Sequence, residues 1–597
     1  MTPLTNKRHY HRWVANETLE DYALRYTAES ARKYSIGRVA NTALGIVSFL
    51  ALEAIGGAIT LQFGFSNAMM AISIVSSLIF LMGLPICYHA AKNGLDIDLL
   101  TRGAGFGYVG STISSLIYAA FTFIFFAIEA VIMATAVTLL FDLPLSISYL
   151  LSATAIIPLV THGIRRISQF QLLSQPIWVL LQLIVIGFIL MHEQHAVSDW
   201  KTFTGINHNA NFNWHLVGFA CTIIFPLMAQ NGEQVDYLRF LPKPNSISST
   251  LRWWLAVIFA GPGWVIVGAI KMILGSFLAF LAFQQGASPT LSSDPTHMYL
   301  HIAEKMIIHP VPALIIVCLF VILSQIKINV TNAYAGSIAW SNFFSRITHQ
   351  HPGRVVWLVF NVTIAFILME IGLYQSFESI LMSYSALVLG WLSTIVADLT
   401  LNRWLKLRPK SLHFMRSQLV DINPVGCLSM LTASSFGVLA QFGWFGESIK
   451  SFAPFIVLLL PFSIVPLLTW LTQGRFYLVP STHLKTIKDT ASCCLCEHAF
   501  EAPDMHHCPF YNAPICSLCC ALDVSCNNTC RPEASIKAQL TQFFRWALPD
   551  AIYHRLLTRF HPSLSYFAGL MTLVSMIFYL VFHLVLMPFD DNLFPIA

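Results

Sequence analysis

The chain has 597 residues, of which 56% are hydrophobic and only 11% charged; this excludes a soluble globular protein, whose core needs no such number of apolar runs able to cross a hydrocarbon slab of ~30 Å. A formal charge of +5 would suit nucleic-acid binding in a soluble chain. Here the basic residues collect in alternate loops, so no nucleic acid is implied, and a polytopic membrane protein remains. Charges inside the apolar runs are Glu53, Glu129, Lys271, Lys327 and Asp398, and charges at such places are costly and face a polar pathway or a partner.

Residues 1–36 form a polar, basic arm (Lys7, Arg8, Arg12, Arg25, Arg32, Lys33) without the apolar core and cleavage site of a signal peptide. Membrane helices are predicted at 37–62, 67–91, 111–140, 144–162, 172–191, 214–231, 253–283, 310–336, 354–374, 379–399, 426–445 and 452–473, a permease-like domain over 37–475. Each is long enough to span at ~1.5 Å per residue. Lys and Arg cluster in the arm and near Lys92 and Arg102, Arg165 and Arg166, Arg239 to Arg252, and Arg403 to Arg416, whereas the loops at Asp142 and Glu378 nearly lack them. That asymmetry places the N-terminus in the cytoplasm. A Cys-rich module (490–532) then falls on the cytoplasmic side. A basic linker (533–563), a thirteenth apolar run (564–588) and an extracytoplasmic tail (589–597) follow. The expected location is the cell inner (plasma) membrane, multi-pass, with the bilayer and a small solute as partners.

Two predicted helices carry interruptions. The first has Gly56-Gly57 after Glu53; the sixth has Pro226 followed by Gln230-Asn231-Gly232-Glu233-Gln234. Breaks at the first helix of each five-helix half point to an inverted-repeat transporter, because freed backbone groups need protein or a lined cavity. A glycine pair serves close helix packing equally well. No nucleophile, phosphate cradle or acid–base motif indicates an enzyme.

Four stretches carry a resemblance to a known family: Ala54 to Gly57; Lys92 to Arg102 with Phe106 to Ser111; Asp236 to Phe240; and Tyr334 to Ser337 with Trp340 to Asn342. With Ala397-Asp398, Asn402-Arg403 and Val420 to Asn423, they resemble, in order and over about residues 30–475, the purine–cytosine permease (nucleobase:cation symporter-1) family. The resemblance implies an all-α polytopic protein of two inverted five-helix repeats plus two helices, an amino-acid/sodium-symporter-like bundle. Its function would be secondary transport of a nucleobase or related planar heterocycle. The substrate would lie between broken helices one and six and against helices three and eight, near Glu53, Phe125, Glu129, Gln230, Asn231, Asn329 and Asn332. Phe125 stands where the family has a run whose indole stacks on a base, one turn before Glu129, although lipid or core packing is the plain alternative. Where sodium-coupled relatives place small hydroxyl residues on helix eight, this chain has Lys327 and Ile328. An ammonium there would take the cation's place, so sodium coupling is not expected; snorkelling of Lys327 to an interface is the alternative. A Glu129–Lys327 pair in one cavity would offset both desolvation costs.

Nine of the 13 cysteines lie between Cys493 and Cys530. The spacing Cys493-x2-Cys496, Cys508, Cys516-x2-Cys519, Cys526-x3-Cys530 is that of structural zinc rather than a disulfide knot, given a reducing compartment. Two ions are expected. One would be held by Cys493, Cys496, Cys516 and Cys519, and one by Cys508, Cys526 and Cys530 with His507, His506 or Asp504; Cys494 and Cys520 leave the register open. So small a segment needs metal to fold. The module suggests a second function class, a transporter-like sensor that binds solute and signals to a cytoplasmic protein.

Overall fold

A computed structural model describes residues 16–207, 211–479 and 490–547; the expected thirteenth helix at 564–588 and the tail lie outside them. The arm leads into α1 (Ile36–Leu44), started by Ser35, whose side chain accepts the Arg38 N–H. A tight turn over Gly45–Ser48 ends at Phe49, in extended conformation (ψ 132°). The helix restarts as α2 (Ala51–Asn93). Its 43 residues would stretch about 64 Å at 1.5 Å per residue, too far for one crossing. Gly64 reverses it at φ 76°, ψ 165°, a conformation that costs only glycine nothing. At that turn Phe65 N–H and Leu61 C=O bond Phe203 and Ile206; at the other end Gly94 C=O accepts the Thr27 N–H of the arm. The end of the bundle that carries the arm is called the arm end below.

Next come α3 (Ser111–Phe141), α4 (Leu145–Val160) and α5 (Gly163–His192). The second half opens with α6 (Trp214–Ile224), a 3-10 turn at Phe225–Ala229 around Pro226, and α7 (Gln230–Leu238). Helix α8 (Ile247–Gln284) widens before Pro262. Proline cannot donate to Ile258 C=O, so Gly263 N–H takes it at 2.8 Å. Then follow α9 (Pro295–Met306), α10 (Pro310–Thr348), α11 (Arg354–Ile371), α12 (Phe377–Asn402), α13 (Pro424–Gln441) and α14 (Glu447–Leu471). Nine helices among the described residues are long and apolar enough to span. With α2 counted as two segments about Gly64, the shorter α4 and the broken α6–α7, the described bundle has twelve segments.

The glycine pair does not break the first helix. A Cβ on Gly56 would sit 1.9 Å from Met272 C=O, and one on Gly275 would sit 2.3 Å from Glu53 Cα. These glycines let the backbones of α2 and α8 touch, and the interruption lies earlier, at Gly45–Leu50.

Beyond α14 the Cys-rich module builds from two short hairpins. Strands β1 (Ala491–Ser492) and β2 (Ala499–Phe500) pair antiparallel; β3 (Met505–Cys508) and β4 (Ala513–Cys516) pair with Met505 opposite Cys516. Helix α15 (Ser517–Leu522) follows, then a turn-rich loop and α16 (Ile536–Ala547). The module docks at the arm end. Arg25 binds Asp504 at 2.5 Å and lies over Phe500, and Glu501 accepts the Glu29 and Ser30 N–H groups, each at 2.9 Å. Arg416, after α12, donates to the carbonyls of Cys520, Ala521 and Asp523, and Arg531 pairs with Asp421 at 2.8 Å.

Candidate functional site

The break between α1 and α2 leaves a carbonyl pointing one way and two amides the other, inside a water-poor bundle. Side chains meet both. Glu129 of α3 accepts Leu50 N–H and Ala51 N–H, each at 3.2 Å, a carboxylate on a helix N-terminus. Lys271 of α8 donates to Phe49 C=O at 2.8 Å and pairs with Glu53 at 3.1 Å, while its ammonium lies 5.2 Å from the Trp178 ring centre. Tyr299 of α9 donates to Glu53 at 2.9 Å, and Gln182 of α5 donates to the Tyr299 hydroxyl at 2.8 Å. Glu53, Glu129 and Lys271 are all buried.

The second break contributes Gln230, which donates to Glu233 at 2.6 Å, and Asn231, which accepts from Trp264 at 3.3 Å and donates to Ile79 C=O at 3.4 Å. On α10, Gln325, Asn329 and Asn332 share one face through their i, i+4, i+7 spacing. Asn332 donates to Asn329 at 3.1 Å. Asn329 Nδ2, Asn332 Oδ1 and Glu233 Oε1 are buried without a hydrogen-bond partner among the described residues, and the Gln325 amide lies against the Glu129 carboxylate. Buried amides of this kind suit a ligand with both donors and acceptors. Phe125 is buried with its ring 4.6 Å from that of Phe121.

Lys327 is buried mid-helix and does not snorkel. Its ammonium donates to Gln171 Oε1 and to Ser174 Oγ (3.0 Å), both on α5, and Gln171 returns a bond to Lys327 C=O at 3.0 Å. The expected Glu129–Lys327 pair is therefore replaced: Glu129 is spent on the helix amides, and Lys271 supplies the charge beside the carboxylates. Lys271 was visible in sequence as a charge in an apolar run, but nothing there paired it with Glu53. Tyr299 and Gln182 gave no sequence signal at all.

The motif stretches converge elsewhere, on a polar layer at the arm end. Arg239 binds Asp96 (3.5 Å), Tyr334 (3.2 Å) and the Asp21 carbonyl (2.9 Å); Tyr334 donates to Asp21 at 2.7 Å, and Asp21 also accepts Ile164 N–H at 2.8 Å. Arg102 donates to Asn342 at 2.7 Å, and Asp236 accepts from Tyr118 at 2.8 Å. Asp398 is paired with Arg408 and Tyr477, so this intramembrane charge is structural.

In the Cys-rich module, Cys493, Cys496, Cys516 and Cys519 are buried with all four sulfurs within 4.8 Å of one another. A set of four thiols at these distances fits one tetrahedral soft or borderline metal ion. It is the sole such cluster among the described residues. The second expected set does not close with His507 or Asp504. Along β3 the side chains alternate, with His506 and Cys508 buried and His507 half-buried. Asp504 is engaged by Arg25 and Ser517. Burial pushes the Asp504 carboxyl up, with Arg25 opposing. Burial would also raise Glu501, but the Ser30 and Glu29 amides prevail and hold it below the usual carboxylate value.

No protein-family model matches the chain, and no curated protein matches it. Its fold is shared with solved transporters. The structure of Mhp1, a nucleobase-cation-symport-1 family transporter, in a closed conformation with bromovinylhydantoin bound, aligns with a TM-score of 0.56 at 14% identity, covering 77% of this chain and 95% of that one. Its inward-facing conformation gives 0.56 at 14%, over 75% and 93%. A substrate-bound, outward-open Na+-coupled sialic acid symporter gives 0.51 at 13%, over 76% and 92%. At these identities the likeness shows the fold: an all-α membrane protein of two inverted five-helix repeats plus two helices, with the four-Cys module appended.

Proposed function

We propose that the chain is a secondary transporter for a nucleobase or related planar heterocycle, with its solute site at the two helix breaks and without sodium coupling. One observation carries this reading: the break that would expose carbonyl oxygens to a cation is met by the Lys271 ammonium, 2.8 Å from Phe49 C=O. Lys327 adds a second ammonium on α10. With fixed ammonium groups in place, a mobile cation gains little there, and the exchangeable charge is a proton on Glu53, Glu129 or Glu233. Gln325, Asn329, Asn332, Gln230 and Asn231 supply amide edges for a heterocycle, and Phe125 an apolar face. The Mhp1 likeness agrees in fold with this substrate class. The test is uptake of labelled cytosine, uracil, allantoin and hydantoins into proteoliposomes under separate sodium and proton gradients. Proton-driven, sodium-indifferent uptake is expected; strong sodium stimulation would overturn the reading.

The four-Cys cluster is read as a structural zinc site on the cytoplasmic side, in the orientation set by the Lys and Arg distribution. Cys493, Cys496, Cys516 and Cys519 would hold the ion, which cross-links a segment too small to fold on its own core. A second reading, a solute sensor that signals through this module to a cytoplasmic protein, is favoured by one feature: the module grips the arm through Arg25 and Glu501, and the same arm enters the polar layer through Asp21. Solute binding without uptake would select the sensor.

A further inference from the structure

We infer that the module holds a second metal ion, bound by the four thiolates of Cys508, Cys520, Cys526 and Cys530, with Cys520 as the ligand that the spacing left unassigned. The inference stands apart from the transport reading. Its first support is the alternation of β3, which turns His507 to the opposite side of the strand from Cys508. Asp504 is held by Arg25 and Ser517, and His506, buried on the Cys508 side of the strand, faces Cys493 of the first cluster instead, so none of the three candidates for the fourth ligand is free to serve.

Cys520 is placed to replace them. It neighbours Cys519 on α15, and successive residues of a helix diverge by about 100°. One cysteine can therefore feed the first cluster while the next faces away from it. Two tethers draw the remaining ligands toward Cys520. Tyr511, in the turn after Cys508, donates to Asp523 at 2.8 Å, three residues past Cys520. Arg416 reaches Cys520 C=O at 3.2 Å and Asn528 Oδ1 at 3.0 Å with one guanidinium, fixing the Cys526–Cys530 turn beside α15. All six pairings of the four sulfurs are close enough for each to feel the other's charge.

The local backbone has the form that thiolate ligands need. The Phe510 and Tyr511 amides point at Cys508 Sγ, and the Asn528 amide at Cys526 Sγ. N–H groups aimed at a sulfur stabilise its negative charge. Asn527 and Asn528 adopt φ of 44° and 57°, which Asn tolerates better than most residues, and the turn closes with Thr529 N–H on Cys526 C=O at 2.9 Å. None of the nine module cysteines forms a disulfide. The four sulfurs are spaced more widely than those of the first cluster, and an ion with metal–sulfur bonds of about 2.3 Å would draw them in.

The whole chain, purified in detergent, is assayed for zinc by mass spectrometry and titrated with cobalt(II) as a spectroscopic probe. Two ions per chain are expected, both with the absorption of four-thiolate cobalt. Cys520→Ser should drop the count to one, while His507→Ala keeps two. One ion in the native chain, or two retained by Cys520→Ser, would overturn the assignment. Should Cys520→Ser fail to fold, alkylation of the native chain decides. Cys508, Cys520, Cys526 and Cys530 must be protected in the metal-loaded protein and react after chelation; equal reactivity before and after, or a disulfide mass among them, refutes the second site.

Discussion

Replacing Lys271 with Met tests whether the break is electrostatically self-contained. The ammonium sits 3.1 Å from Glu53 and 2.8 Å from Phe49 C=O, with both partners buried. Lys271→Met strands a carboxylate and a carbonyl together, and removing one member of a buried pair costs about 3–5 kcal/mol. Glu53→Gln strands the ammonium instead, at similar cost, although the amide still meets Tyr299 and Gln182. The double variant leaves neither charge, so its loss should not exceed that of either single change. The coupling energy is then about 3 kcal/mol or more. Unfolding in SDS titrations, followed by tryptophan fluorescence, supplies the cycle. Single losses that add within about 0.5 kcal/mol in the double variant would mark independent residues and refute the pairing.

Gly275→Val should push α2 from α8, since a Cβ there already meets Glu53 Cα at 2.3 Å; a loss of about 1–3 kcal/mol or more should appear as a collapse of the monodisperse peak in detergent chromatography, whereas Gly187→Ala, with nothing within 4 Å of its Cβ, should leave it intact. Lys327→Thr restores a hydroxyl on α10 and should introduce sodium dependence into ligand binding that the native chain lacks; an unchanged sodium response in the variant counts against Lys327 as the cation's substitute. Glu501 is held below its ordinary value of 4.5 by the arm amides, so its contribution to docking is complete above that value and is lost as pH falls through the lower, docked one. Hydrogen exchange of arm residues 25–32 should therefore be flat from neutral pH to the ordinary carboxylate range and accelerate only below it in relative protection, and Glu501→Gln should abolish that step. Cys493→Ser or Cys516→Ser should remove the first metal ion, read as one zinc fewer per chain.

The spans were legible because a bilayer imposes length and hydropathy on each segment independently of its neighbours. The break in the first helix was not, because Gly56-Gly57 looks the same whether it interrupts a helix or admits α8, and only the position of Met272 decides. Glu129 stands out in sequence as a carboxylate inside an apolar run, yet its role as a cap depends on Leu50 and Ala51, whose amides carry no side-chain signature. Lys327 stands out in sequence as a charge in an apolar run, but its neutral partners Gln171 and Ser174 come from α5, far away in sequence. The first cysteine set was readable from two x2 spacings. Cys508, Cys526 and Cys530 of the second were readable too, but its fourth ligand was not, since adjacent cysteines at 519 and 520 diverge only once α15 is known to be a helix.

The arm has a thermodynamic consequence. Asp21 is bound at once to Tyr334 of α10 and to the start of α5, and four residues later Arg25 is held by Asp504. Any conformational change that parts α10 from α5 at that end must break one of the two Asp21 contacts, on an arm that the module holds four residues further on. The two equilibria are thereby tied, and linkage runs in both directions. Were docking and closure fully coupled, a molecule that binds the docked module ten times more tightly than the released one would shift the closed-to-open ratio by at most tenfold, about 1.4 kcal/mol, and a solute that opens the bundle would weaken that molecule's binding by the same factor.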